Sequence, residues 1–151
     1  MKEQYFEDYA AGQTFLGGKH RIDKDQIVTF AKQFDPQFYH LDEEAAKNSP
    51  FKGLAASGWH TAAITMRLMV DGEFKPAGGI IGVGFDELSW ARPVRPGDEL
   101  YVKSEILEAR PSKSKNDRGT IRVRNTTFNQ NDEVVQTFTG NLLVPRRTPA
   151  S

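Results

Sequence analysis

A chain of 151 residues, 38% hydrophobic and 26% charged, has the make-up of one soluble globular domain spanning residues 1–151. Twenty Lys and Arg balance twenty Asp and Glu. With no net field, neither a nucleic-acid partner nor an anionic membrane surface is expected. The absence of cysteine excludes a disulfide framework, a thiolate nucleophile and a Cys-based zinc site, and it fits a cytoplasmic setting.

The opening stretch MKEQYFEDYAAGQ lacks the basic-then-apolar pattern of a signal peptide. Residues 13–22 read as a short strand or an extended entry segment. In IDKDQIVTFAKQF, Asp23 is a candidate N-cap with Gln26 three positions on, a capping-box spacing. Ile27, Phe30, Ala31 and Phe34 then recur at helical intervals and give one apolar face. Pro36 disfavours helical geometry at Asp35, so the helix is expected to end there. The connection that follows holds Asp35, His40 and Asp42. Asp42 reads as the cap of a short helix over EEAAKN, and SPFKG as a loop.

LAASGWHTAAITMRLMV contains His60 and Arg67 and is too short and too polar to span a bilayer. From Ser57, another candidate N-cap, to about Asp71 the pattern is helical, and AAITMRLMV is apolar around most of its circumference. A buried central helix is expected. After DGEFKPAGG the chain reads as strands. IIGVGFDELSW is apolar on both faces, as in a strand covered twice. ELYVKSEIL sets Leu100, Val102 and Ile106 against Tyr101, Lys103 and Glu105, and TIRVRNTTF sets Ile121 and Val123 against Arg122 and Arg124. VVQTFTGNLLV places Val134, Phe138, Leu142 and Val144 on one side. Turn-rich segments between them have hairpin length. The order is α+β, with an antiparallel sheet packed on the central helix.

That order resembles the hot-dog fold, a curved antiparallel sheet wrapped around a long apolar helix. The match is closer at the residue level. FDPQFYHLDEEAAKNSPFKGLAASGWHT resembles the hydratase motif of MaoC-like dehydratases and R-specific enoyl-CoA hydratases. ARPVRPGDELYVKSEIL resembles the P-V-x-x-G-D hairpin of the same family, a motif that recurs in other hot-dog groups. The resemblance implies that Asp35 and His40 are a catalytic pair activating water. It also implies that the Gly58 amide contributes to an oxyanion hole. R-specific hydratases often carry Asn-Pro where this chain has Gln37-Phe38, and His-Gly where it has Ser57-Gly58. A serine found in some members falls on Ala63.

The implied substrate is a 2-enoyl thioester, with coenzyme A or phosphopantetheine present only as part of it. No metal and no separate cofactor is expected. The activity so implied is a hydro-lyase giving a 3-hydroxyacyl thioester of R configuration. Two other readings compete with it: a hot-dog thioesterase, and a non-catalytic module that binds acyl thioesters. Thioesterases more often place a carboxylate on the central helix, and none lies in WHTAAITMRLMV.

The remaining polar features read more plainly. No G-x-S-x-G elbow surrounds Ser57, which argues against a serine nucleophile. His60, close in sequence to Gly58, offers a pocket-lining role, but a core histidine with a satisfied ring nitrogen is the simpler reading; His20 has no partner signal. Six basic residues between 110 and 124 suit a solvated hairpin better than a phosphate or carrier-protein site. Arg92 and Arg95 are rival phosphate contacts. The glycines of GGIIGVG lack both a phosphate-loop lysine and a strand-to-helix setting. A homodimer is expected, because one hot-dog sheet leaves an apolar edge exposed.

Overall fold

Residues 2–151 are described by the structure, a computed structural model, and the elements follow the expected order with shifted boundaries. Strand β1 spans Thr14–Arg21 and is followed by helix α1, Lys24–Phe34. The capping box forms as its residue types require. The Asp23 carboxylate accepts from the Gln26 amide at 2.8 Å, while Gln26 reaches back to the Asp23 N–H. The helix stops at Phe34, ahead of Pro36.

The connection beyond is more ordered than its sequence suggests. It forms a one-turn helix α2, Phe38–Leu41, which carries His40. Asp42 then caps α3, Glu43–Ala46, accepting from the amides of Glu44 and Ala45 at 2.9 and 3.0 Å. The central helix α4 spans Gly58–Asp71 with Ser57 as its N-cap.

Four strands follow: β2 Ile81–Ser89, β3 Glu99–Pro111, β4 Arg118–Phe128 and β5 Val134–Pro145. They form one antiparallel sheet with β1, in the order β1-β3-β4-β5-β2. This is the curved sheet and central helix of a hot-dog fold. Leu100, Val102, Ile106, Ile121 and Val123 are buried, as their alternation requires. On β5, Leu142 and Val144 are buried and Val134 and Phe138 only partly so.

Helix and sheet meet at glycines. A Cβ on Gly17 would lie 2.3 Å from Val102 Cγ1 and 2.8 Å from the Leu68 carbonyl oxygen, so α4 rests directly on β1 there. Helix α4 is not sheathed all round, contrary to the sequence expectation. It buries Ile64, Leu68 and Met69, with Thr61 and Thr65 among them, and leaves Trp59, Met66 and Val70 exposed. Strand β2 departs further from expectation. It lies at the sheet edge with Ile81, Val83 and Phe85 exposed, because a single chain supplies no second layer over it.

Candidate active site

The end of α1, the turn α2 and the start of α4 converge on one cavity of about 300 Å³. Asp35, His40 and Gly58 all line it, together with aromatic walls from Tyr39, Phe51, Trp59 and Trp90. His40 Nε2 lies 3.4 Å from Asp35 Oδ2, and the two side chains are only 6% and 15% exposed. The five-residue step is therefore a spatial pair, brought together by the helix stop and the single turn of α2.

The tautomer of His40 follows from its other nitrogen. Nδ1 lies 2.6 Å from the Ala55 carbonyl oxygen, which can only accept, so Nδ1 carries the proton. In the neutral ring Nε2 is then a lone pair, directed toward Asp35 and into the cavity. A lone pair and a carboxylate oxygen at 3.4 Å do not bond to each other, and both can accept from one shared water. Protonation of Nε2 would turn this pair of acceptors into an ion pair with the Asp35 carboxylate.

Asp35 is held on both oxygens. Ser57 Oγ donates to Oδ2 at 2.7 Å and Gln37 Nε2 to Oδ1 at 2.6 Å. Tyr39 OH in turn donates to Gln37. Burial pushes the Asp35 carboxyl up, but the hydrogen bonds from Ser57 and Gln37 and the nearby His40 together hold it below the usual aspartate range. Ser57 thus does more than its sequence context suggests. Its Oγ also accepts the Trp59 amide at 3.2 Å, so one hydroxyl caps α4 and orients Asp35. No sequence pattern signals the second contact, since the partners are 22 residues apart.

Gly58 begins α4, and its N–H has no protein acceptor among the described residues. Such a donor, at the positive end of a 14-residue helix, suits a developing oxyanion. A Cβ on Gly58 would lie 2.5 Å from Trp90 Cε2, so the close approach that glycine permits is that of the indole.

The other candidates separate cleanly. Arg95 binds backbone, donating to the carbonyls of Phe51 and Leu54, next to the Ala55 that fixes His40. Arg92 lines the cavity and pairs with Glu133 at 3.2 Å. In the basic stretch Arg110, Arg118, Arg122 and Arg124 each meet a carboxylate, as a solvated sheet surface does. His60 corrects an expectation: its Nδ1 is buried without a partner among the described residues, and its ring stacks on Phe30 at 4.5 Å. Burial first, and the His20 imidazole second, lower its pKa to about 4.

The chain is similar to known proteins over most of its length. The model of the MaoC like domain matches residues 8–129. A crystal structure of a MaoC-like dehydratase from Rhodospirillum rubrum superposes with a TM-score of 0.93 at 52% identity, covering 96% of this chain and 99% of that one. The uncharacterized protein YdeM of Bacillus subtilis (strain 168) is 36% identical over 138 residues, 91% of this chain and 95% of its own length. A 3-hydroxybutyryl-CoA dehydratase of Methylorubrum extorquens is 30% identical over 151 residues, 99% of this chain and 90% of its own.

Proposed function

The chain belongs to the MaoC-like domain family, and from that premise we propose that it is a hydro-lyase acting on acyl thioesters. It adds water to a 2-enoyl thioester to give a 3-hydroxyacyl thioester, and it runs the reverse dehydration. The observation that carries this reading is the Asp35–His40 pair, with the His40 Nε2 lone pair turned toward a carboxylate in a cavity that also holds an unpaired helix-start N–H. The thioesterase alternative is the weaker one, because α4 carries no Asp or Glu before Asp71 at its last position.

The chemistry follows from these groups. A water held between Nε2 and Oδ2 presents its oxygen to C3 of the enoyl group and gives a proton to the pair. As the C3–O bond forms, the C2=C3 electrons move toward the thioester oxygen, where the Gly58 N–H meets the charge. The pair returns a proton to C2. The reading invokes no separate cofactor; coenzyme A or phosphopantetheine enters as the handle of the substrate. The R configuration of the product is proposed from the likeness to R-specific hydratases. A cytoplasmic setting is proposed from the cysteine-free composition. No helix of the described residues is long and apolar enough to cross a membrane.

The test is to incubate the wild-type protein with a panel of 2-enoyl-CoA substrates, following enoyl absorbance and free thiol together. Loss of absorbance with no thiol, and an R-3-hydroxyacyl product on chiral analysis, is expected. Release of thiol in step with substrate loss would replace this reading with a thioesterase.

A further inference from the structure

One polar chain in the core has no part in the chemistry above. Gln136 on β5 is wholly buried, as are Thr65 on α4 and Thr127 on β4. Burying an amide between helix and sheet is costly unless each of its groups is paired. Here they are. Gln136 Nε2 donates to Thr65 Oγ1 at 3.2 Å, and Gln136 Oε1 accepts the Trp90 indole N–H at 2.9 Å. Thr65 Oγ1 donates to the Thr61 carbonyl at 2.9 Å and lies 2.6 Å from Thr127 Oγ1. The Thr65 hydroxyl has one hydrogen, already directed to Thr61, so Thr127 must donate to it. Indole is donor-only, which fixes the Gln136 amide with its oxygen outward. A satisfied network of this kind specifies one geometry.

Its outer end is Trp90, which is 43% exposed and hence not held by burial alone. The indole packs against Gly58 closely enough to exclude any Cβ, and meets Trp59 edge-on at 5.3 Å. It lines the same cavity as Asp35 and His40. A conjugated enoyl thioester is planar, whereas a saturated acyl thioester is free to twist along its chain.

Building on the hydratase reading, we propose that Trp90 is a flat wall that selects the planar 2-enoyl thioester and presents it to the Gly58 amide, and that Gln136 is the positioning residue locking that wall. Gln136 acts only through the indole. Removing its amide frees the ring to turn toward solvent, where its N–H finds water.

The experiment compares wild type with Gln136→Met, Trp90→Phe and Trp90→Leu, each checked for folding by circular dichroism. For each, KM for a 2-enoyl-CoA is set against Ki for the saturated acyl-CoA of equal length. In Trp90→Leu the enoyl preference should fall about 3- to 10-fold, the worth of an aromatic face contact, with Trp90→Phe between it and wild type. Gln136→Met should show the same loss. In a Trp59→Phe background, where Trp90 is the remaining tryptophan, Gln136→Met should also shift the emission to the red. An unchanged preference in Trp90→Leu overturns the wall. A folded Gln136→Met with unchanged emission and preference overturns the lock; if that variant does not fold, Gln136→Glu, which keeps the acceptor oxygen, should retain wild-type emission and a red shift there overturns it. A wild type that hydrates no 2-enoyl-CoA overturns the hydratase reading instead, and the emission arm still decides the lock.

Discussion

Asp35 sits under opposing influences, and Ser57 is the first of those that lower its pKa. Because its folded-state pKa is depressed, Asp35 adds stability above its unfolded value, and this is lost as pH falls through the folded pKa. Ser57→Ala removes the leading contribution that lowers it, so the carboxyl should protonate at higher pH. The acid limb of the kcat/KM profile for hydration should then move to higher pH, and an unmoved limb would separate Ser57 from Asp35. Loss of the N-cap should also cost about 1 kcal/mol in denaturant unfolding. His60 has the opposite chemistry with a similar sign. Its folded pKa of about 4 lies below the ordinary 6.5, so the unfolded chain binds the proton more readily. Stability should therefore be full above about 6.5 and decline as pH falls toward 4. His60→Phe, which keeps the stack on Phe30, should flatten that decline in denaturant melts at pH 5 and pH 7. At this scale the sequence yields Asp35, His40 and Gly58 by motif. It does not yield Ser57 as a partner of Asp35, or the unpartnered Nδ1 of His60, because both depend on contacts across more than 20 residues.

Elements are set by local chemistry where it is strong. The Asp23–Gln26 box, the Pro36 stop, the Asp42 cap and the period-two strands all lie where the residue types put them. The α2 turn is less legible, since four residues leave no periodicity, and it is held by what surrounds it. The Ala55 amide donates to the Tyr39 carbonyl at 3.1 Å, and the Ala56 amide to Val94 at 2.9 Å. Arg95 clamps the same connection through Phe51 and Leu54. A charged donor to carbonyls is worth about 1.5–3 kcal/mol, and Arg95→Leu should lose a comparable amount in chemical denaturation. It should lower kcat as well, since the Ala55 carbonyl that sets the His40 tautomer then loses its support. A variant as stable and as active as wild type would remove the clamp from this account. Strand β5 shows the limit of pattern reading: Gln136 falls among its inward positions, where alternation alone would put an apolar residue.

At the scale of the whole molecule, the strand order β1-β3-β4-β5-β2 is not written in any local pattern, because it follows from how the sheet wraps α4. It leaves β2 at an edge with Ile81, Val83 and Phe85 in contact with water. Such an edge is an aggregation hazard unless it is covered, and we propose that a second copy of the chain covers it. Light scattering at micromolar concentration should give a dimer or a multiple of one, and Val83→Lys should shift it toward monomer; a wild-type monomer would contradict this. The central claim is that Asp35 and His40 act as one unit on one water. The measurement that tests it most directly is the hydration rate of a 2-enoyl-CoA by Asp35→Asn, His40→Ala and the double variant, with binding of the saturated acyl-CoA as control. Each single variant should lose about 100-fold or more in kcat with binding little changed, and the double should be scarcely worse than either. Hydration by Asp35→Asn at the wild-type rate, or losses that multiply in the double variant, would contradict it.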